Sequence, residues 1–491
     1  MKRVSSGLSP LIAVNRDSGT PLHRQIYDVY RTMIVEGSLK PGQQIPSTRA
    51  LTSELRISRI PLLNAYAQLL AEGYFETRKG AGTFVCGSLP DLMMRANGRP
   101  KRSLTTDSGA RPIARRAERL EPYEFEPWFG LGPFSLSQPA YDQFPFRIWS
   151  SLVLRHCRRL QPAAMTYGDP KGFEPLRQVI CTYLRTARGV RCDPQQVMIV
   201  TGSQQALEIS ARVLLDPATP VWVEEPGYWL TRRVLESAGC CLIPVPVDRD
   251  GLNVAAGIKS CRKARAAYVA PSHQFPLGAT MSALRRLQLL EWAHSSGSWI
   301  IEDDYDSEFR YGSMPIASLQ GLDSSDRVIY IGTFSKVLFP SLRIGYAVIP
   351  KDLVGHFIVA RRTMDIAPPF LLQAVLTDFL CEGHFARHIR RMRILYDQRR
   401  ATLVENIRKQ FGTSLEVIGS EAGMHLLLGL PKGFDDLEIA KRAAVEKLWL
   451  APLSPYYLGK ARRHGLILGF GGTSTSEIPD AVRQLRRVLA L

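Results

Sequence analysis

The chain has 491 residues, 45% of them hydrophobic, and carries 63 Lys and Arg against 45 Asp and Glu, a formal net charge of +18. That length predicts more than one domain, since single cores rarely grow past about 250–300 residues, and the composition is that of a globular chain with a large core. No run approaches the ~18 apolar residues of a membrane helix, residues 8–14 are too short and too broken by Pro10 for a secretory signal, and the positive charge favours polyanionic partners.

Thr20-Pro21 predicts a helix start, a hydroxyl cap followed by proline at the first helical position. Leu22, Ile26, Val29, Met33 and Ile34 keep helical spacing as far as Gly37, and Pro41-Gly42 breaks the chain. Ser47 caps a second helix carrying Leu51 and Leu55. Ser58 caps a third, which ends before Gly73 and buries Leu62, Tyr66, Leu69 and Leu70. Beyond Gly73 the period changes to two, and residues 74–78 and 83–85 read as a hairpin around Lys79-Gly80-Ala81-Gly82. Three short helices and a hairpin make a winged helix-turn-helix, predicted over residues 1–86.

Three strings here resemble the GntR family of bacterial DNA-binding domains: P-L-H-R-Q-I-Y from Pro21, P-S-T-R-A-L from Pro46, and A-E-G-Y-F-E-T-R-K-G-A-G-T-F-V from Ala71. The resemblance implies contacts to double-stranded DNA from Arg49, from Ser58 and Arg59 at the start of the third helix, and from Arg78, Lys79 and Gly80 at the wing tip. Arginine can grip guanine edges or phosphates, and glycine lets the backbone approach the minor groove. The chain departs from the family at Ile60-Pro61, where small polar residues are usual. Proline is tolerated in a first helical turn, but neither residue can hydrogen-bond a base. Direct readout is then weaker, or uses thymine methyls.

Residues 87–130 lose all periodicity and hold Arg95, Arg99, Lys101, Arg102, Arg111, Arg115, Arg116 and Arg119, which predicts a flexible basic linker. From residue 131 to 491, helical stretches such as 203–215 and 284–295 alternate with short apolar runs. V-M-I-V at Val197, V-W-V at Val221, A-A-Y-V-A at Ala266, W-I-I-E-D-D at Trp299, V-I-Y-I at Val328 and G-Y-A-V-I at Gly345 are candidate strands. That rhythm predicts an α/β domain with a mostly parallel central sheet buried on both faces. Eight scattered cysteines without a C-x-x-C pair predict reduced thiols in a cytoplasmic protein and no metal site.

Chemistry concentrates in I-E-D-D-Y-D around Asp303 and T-F-S-K-V-L-F-P-S-L-R from Thr333. Lys336 offers an amine that can close an imine with an aldehyde, Arg343 a planar fork for a phosphate, and Asp303 or Asp304 a carboxylate for a pyridinium nitrogen. Spacing to Tyr305 and Lys336 favours Asp303. Thr201-Gly202-Ser203-Gln204 follows a strand and opens a helix, which makes an anion seat. In this order, with Tyr167-Gly168-Asp169-Pro170 and Pro226-Gly227-Tyr228, the landmarks resemble a fold-type I aminotransferase and imply pyridoxal 5'-phosphate (PLP) as cofactor. The resemblance implies that Tyr228 stacks on the ring and that Gln274, in S-H-Q-F-P, and Tyr305 touch its hydroxyl. Ser203, Gln204, Thr333, Ser335 and Arg343 would hold the phosphate, and Tyr167 would reach the phosphate of a neighbouring subunit in a homodimer.

The fusion of the two parts, with E-D-D-Y-D-S-E-F-R-Y at Glu302, resembles the MocR subfamily of GntR regulators, whose members are similar in using a head-to-tail dimer. Near the carboxyl end, Ile467-Leu468-Gly469-Phe470 stands where transaminases carry an arginine for a substrate carboxylate. Arg232 or Arg233 is a possible substitute. The expected function is a PLP-dependent transcriptional regulator that senses an amine, an amino compound or PLP itself through Lys336, rather than an enzyme. The alternative is an active aminotransferase localised on DNA by its head.

Overall fold

The computed structural model describes residues 12–87, 113–114, 128–311 and 316–490. They fall in two compact units divided between Pro112 and Ile113. This division lies inside the predicted linker, whose cations lie outside the described residues. Trp128 already packs into the core of the second unit.

In the first unit, α1 (Leu22–Val35) buries Ile26, Tyr27, Tyr30 and Ile34, a single apolar stripe. The helix begins one residue later than predicted. Pro21 is extended (φ −55°, ψ 139°) and no side chain caps the helix; the Thr20 carbonyl accepts the Gln25 amide at 2.7 Å. β1 (Gln44–Ile45) leads to α2 (Thr48–Leu55), where the Ser47 hydroxyl accepts from the Ala50 N–H at 3.2 Å. α3 (Arg59–Ala71) turns Leu62, Ala65, Tyr66 and Leu69 inward. β2 (Phe75–Arg78) and β3 (Gly82–Val85) form the wing, with β3 between β2 and β1. Tyr30, Tyr66 and Phe75 meet edge-to-face, with centroids 5.3 to 5.7 Å apart, and tie helices and wing into one core.

The second unit opens with α4 (Phe146–Arg158) and α5 (Glu174–Ala187). β4 (Val197–Val200), α6 (Ser203–Leu214), β5 (Pro220–Glu225), α7 (Trp229–Ser237), β6 (Cys241–Asp248) and β7 (Gly251–Leu252) follow. Next come α8 (Val254–Cys261), β8 (Ala266–Val269), α9 (Ala283–Ser296), β9 (Trp299–Asp304), α10 (Leu319–Leu322), β10 (Val328–Thr333) and β11 (Gly345–Val348). Among the described residues these strands make one eight-stranded sheet in the order β4-β11-β10-β9-β8-β5-β6-β7. It is parallel except for β11 and β7. Strands β4, β8, β9, β10 and β11 are buried along their whole length, as a sheet covered on both faces requires. The predicted sheet is therefore present, with β6 and β7 added at one edge.

The remainder carries α11 (Val354–Asp365), α12 (Phe370–Cys381) and α13 (His384–Phe411). It also carries β12 (Glu416–Ile418), β13 (His425–Gly429), α14 (Asp436–Val445), β14 (Ala451–Pro452), β15 (Gly465–Gly469) and α15 (Ile478–Leu489). The four late strands form a second, antiparallel sheet, β12-β13-β15-β14. Its residues Leu426, Leu427, Leu428, Leu466, Ile467 and Leu468 are all buried and join the large core.

Candidate cofactor site and nucleic-acid interface

In open α/β sheets, ligands sit beyond the carboxyl ends of the parallel strands. Here a cavity of about 340 Å³ opens at that position. It is lined by Glu224 from β5, Tyr268 and Ala270 at the end of β8, Asp303 from β9 and Thr333 from β10. Gly202, Ser203 and Gln204 at the start of α6, together with Ser335, Lys336 and Arg343, close the rest, and Tyr228, Tyr305 and Phe275 supply aromatic walls.

Asp303 and Asp304 are successive strand residues and so point to opposite faces of β9. Asp303 lines the cavity. One of its oxygens, Oδ2, accepts from the Tyr268 hydroxyl at 2.5 Å, while Oδ1 is buried without a partner. Burial raises its carboxyl to about 6, against the opposing pull of Tyr268 and Lys336. Asp304 instead serves the fold: its Oδ2 accepts from Arg188 Nε at 2.8 Å, the Tyr330 hydroxyl at 2.5 Å and the Ser307 hydroxyl at 2.9 Å. Burial alone would raise Asp304; Arg188 and these hydroxyls overcome it and hold the carboxyl below its ordinary range.

Lys336 lies in the turn after β10, half-buried. Removal from water lowers its amine from 10.5 to about 8, opposed by Asp306 and Asp303. Arg343 sits in the left-handed region (φ 52°) just after the 3-10 turn Pro340–Leu342 and has no ion-pair partner among the described residues. Gly202 faces it across the mouth of the cavity. At φ 133° this position favours glycine, and a Cβ there would lie 3.1 Å from Arg343 Nη2. The first amides of α6, the Ser203, Thr333 and Ser335 hydroxyls and the Arg343 fork thus surround one anion-sized space.

The S-H-Q-F-P loop is arranged differently from the expectation. Phe275, not Gln274, faces the cavity, with its ring edge-on to Tyr228 (centroids 5.7 Å, 85°). The Gln274 amide donates to the Pro226 and Phe275 carbonyls at 2.9 and 2.6 Å and to Glu224 Oε2, on the cavity wall, at 3.3 Å, and its oxygen accepts from the Leu277 N–H at 3.1 Å. Gln274 therefore shapes the loop. Tyr305 is braced from behind by His273, whose Nδ1 lies 3.2 Å from the phenol oxygen and 3.0 Å from Asp306 Oδ2. Tyr167 is 83% exposed and is not part of this cavity.

Neither candidate substitute for the missing carboxylate arginine reaches the cavity. Arg232 is buried, not an exposed helix charge: it pairs with Glu225 at 3.3 Å, bonds the Tyr456 carbonyl, and lines a separate cavity together with Arg233. In the stretch that stands in the place of that arginine, Ile467, Leu468 and Phe470 are fully buried.

In the first unit, Arg49, Ser58, Arg59, Lys79 and Gly80 are exposed. Ser58 precedes the first turn of α3 but makes no cap hydrogen bond. The reason is local: Pro61, third in the helix, has no N–H to offer it. Arg78 is also exposed, held by Glu76 at 2.7 Å with its guanidinium 4.6 Å from the Phe84 centroid. Gly80 supplies the left-handed residue (φ 78°) of the wing turn.

Residues 134–482 match the aminotransferase class I and II family, and residues 22–85 match the gntR family of bacterial regulatory proteins. The chain is 38% identical over 478 residues to the probable rhizopine catabolism regulatory protein MocR of Rhizobium meliloti, covering 97% of this chain and 95% of the relative. The chain belongs to the MocR subfamily of GntR regulators. A second relative, the pyridoxine biosynthesis transcriptional regulator PdxR of Corynebacterium glutamicum, is 30% identical over 96% of this chain and 98% of its own. The body of this MocR-type regulator is similar to the solved structure of LysN, an alpha-aminoadipate aminotransferase of Thermus thermophilus complexed with N-(5'-phosphopyridoxyl)-L-leucine. The identity is 28% and the TM-score 0.71, over 77% of this chain and 97% of the other.

The cofactor of this fold is PLP, and the residues of the MocR-type body fit it. Asp303 Oδ1 is a buried acceptor lacking a donor, as a pyridinium N–H requires, and the unpaired Arg343 beside the start of α6 matches a phosphate. Sequence reasoning missed Tyr268, Glu224 and Phe275. Tyr268 was legible as the one polar-tipped residue in the apolar run A-A-Y-V-A, and Glu224 as the acid closing V-W-V before Pro226-Gly227-Tyr228.

Proposed function

We propose that this protein is a PLP-dependent transcriptional regulator whose body senses an amine, or PLP itself, and thereby alters the grip of its winged heads on double-stranded DNA. The observation that carries this reading is a cavity at the carboxyl ends of the parallel strands, in a chain that also carries a DNA-binding head, in which Lys336 and Arg343 are the only cations among the lining residues. With Arg343 facing the phosphate cup and Ile467-Leu468-Gly469-Phe470 in place of the second arginine, a substrate carboxylate finds no charged partner in the chain's own cavity. Loss of that pair costs a carboxylate ligand on the order of 2–4 kcal/mol. Two relatives are named as regulators, one of rhizopine catabolism and one of pyridoxine biosynthesis, and the second name supports a link to the cofactor.

Bound PLP supplies an electron-withdrawing ring and a reactive aldehyde. Around it, Lys336 would hold the aldehyde carbon. Asp303 would accept the ring N–H, Tyr228 and Phe275 would confine the ring faces, and Tyr305 would reach the ring hydroxyl. Ser203, Gln204, Thr333, Ser335 and Arg343 would fix the phosphate. Tyr167, exposed in the single chain, would face the phosphate cup of the other protomer in a homodimer, which the MocR resemblance makes head-to-tail. The setting is the cytoplasm, with the protein on the nucleoid when bound to an operator.

A gel-shift series with the DNA upstream of its own gene tests this, run without ligand, with PLP, and with PLP plus a panel of amines with and without carboxylates. DNA affinity should change with PLP or with an amine lacking the carboxylate. Unchanged affinity under every condition, together with amino-acid turnover of ~1–10³ s⁻¹, would establish the aminotransferase alternative.

A further inference from the structure

On α3, besides Arg59, the exposed residues follow one stripe: Ile60, Leu63, Asn64, Ala67 and Ala71. Its first half carries two large apolar side chains, with Ile60 68% exposed and Leu63 44% exposed, although the opposite face already supplies the whole contribution of α3 to the core. Ile and Leu at i, i+3 lie on one helix face, and among the described residues of the head nothing covers them.

We propose that Ile60 and Leu63 read the 5-methyl groups of thymines in the major groove. This deepens the DNA-binding reading above and rests on it. The methyl of thymine is the one apolar feature among the base edges that groove displays. The surroundings select DNA over a protein partner. Arg49, Arg59 and Lys79 are exposed in the same small head, and from Arg56 to Ala71 there is no acidic residue. Two side chains also fall far short of the roughly 800 Å² per partner of a standard protein interface. Pro61 contributes twice: it fixes the first turn that presents Ile60, and its missing N–H leaves the Ser58 side chain without a cap bond to hold it in place, so it can turn its O–H to a phosphate and hold the register.

The test selects binding sites for the full-length protein from a random duplex library. It then measures affinity for the selected duplex with each thymine replaced in turn by deoxyuridine, which keeps every hydrogen-bonding group and removes only the methyl. Wild type should lose about fourfold in affinity for each contacted methyl. Ile60→Ala or Leu63→Ala should bind the thymine duplex more weakly than wild type and bind the uridine duplex no worse than it. Both side chains are exposed, and near-wild-type circular dichroism and cofactor absorbance verify folding. Wild-type affinity indifferent to every uridine, or a uridine penalty that persists in both variants, overturns the proposal. Failure to select any duplex would instead overturn the DNA-binding reading itself.

Discussion

The chemistry proposed for the body turns on one amine. Lys336 is held where water is scarce, so its charged form is disfavoured and its value falls from 10.5 to about 8, even though Asp306 and Asp303 pull the other way. At pH 7 about a tenth of the protein then carries the neutral, nucleophilic amine, far more than an exposed lysine offers. Uptake of PLP by the apo-protein should accelerate as pH rises towards 8 and level off above it, followed as growth of the visible absorbance band between pH 6 and 9.5. Acceleration that continues towards pH 10.5 would mean that the amine is not perturbed. The same shift carries a stability sign. Between about pH 8 and 10.5 the unfolded chain binds more protons at this lysine than the folded chain, so this group adds stability as pH rises through that window. Lys336→Ala should abolish the visible band and the borohydride-stable adduct, while far-ultraviolet dichroism and DNA binding by the head are retained. A persistent adduct in that variant would place the reactive amine elsewhere.

Elements explain which parts of this arrangement could be read in advance. The strands β4, β5, β8, β9, β10 and β11 were legible because burial on both faces makes each a continuous apolar run. β6 was not, because Pro244 and Pro246 interrupt its pattern. Two residues apart, they remove N–H groups on the same side of the strand, and β6 still pairs with β5 on the other. The second sheet was not legible because β13 and β15 are five-residue apolar runs, H-L-L-L-G and G-L-I-L-G, which periodicity alone does not distinguish from buried helix segments. Ordered landmarks brought most site residues together, but register within a loop was not legible: Gln274 and Phe275 exchange places because the Gln274 amide finds three backbone partners. The junction of β4 and α6 shows the same sensitivity to a single atom. Gly202 holds φ 133°, with room for a Cβ only 3.1 Å from Arg343 Nη2. In Gly202→Ala, a Cβ would strain that backbone by about 1–3 kcal/mol and push the guanidinium off the phosphate cup. The PLP dissociation constant should rise by roughly tenfold or more. Titration of the visible band against added PLP measures it, and an unchanged constant would show that the α6 terminus does not contribute to the cup.

At the scale of the whole molecule, a head with its own core and a body with its own cavity are covalently joined, yet the sensing role requires a free-energy link between them. That link must be reciprocal. If PLP changes operator affinity by some factor, operator DNA must change PLP affinity by the same factor, because both describe one coupling free energy. For a regulator, a coupling of about 1–3 kcal/mol corresponds to a factor of roughly 5–150, well within the reach of paired titrations. The expected outcome is two equal factors, one from DNA binding at saturating and zero PLP, the other from PLP binding at saturating and zero operator. Two factors of one would leave a DNA-binding head and a cofactor-binding body that share a chain without sharing a signal. In that case the cavity would have to be explained by turnover alone.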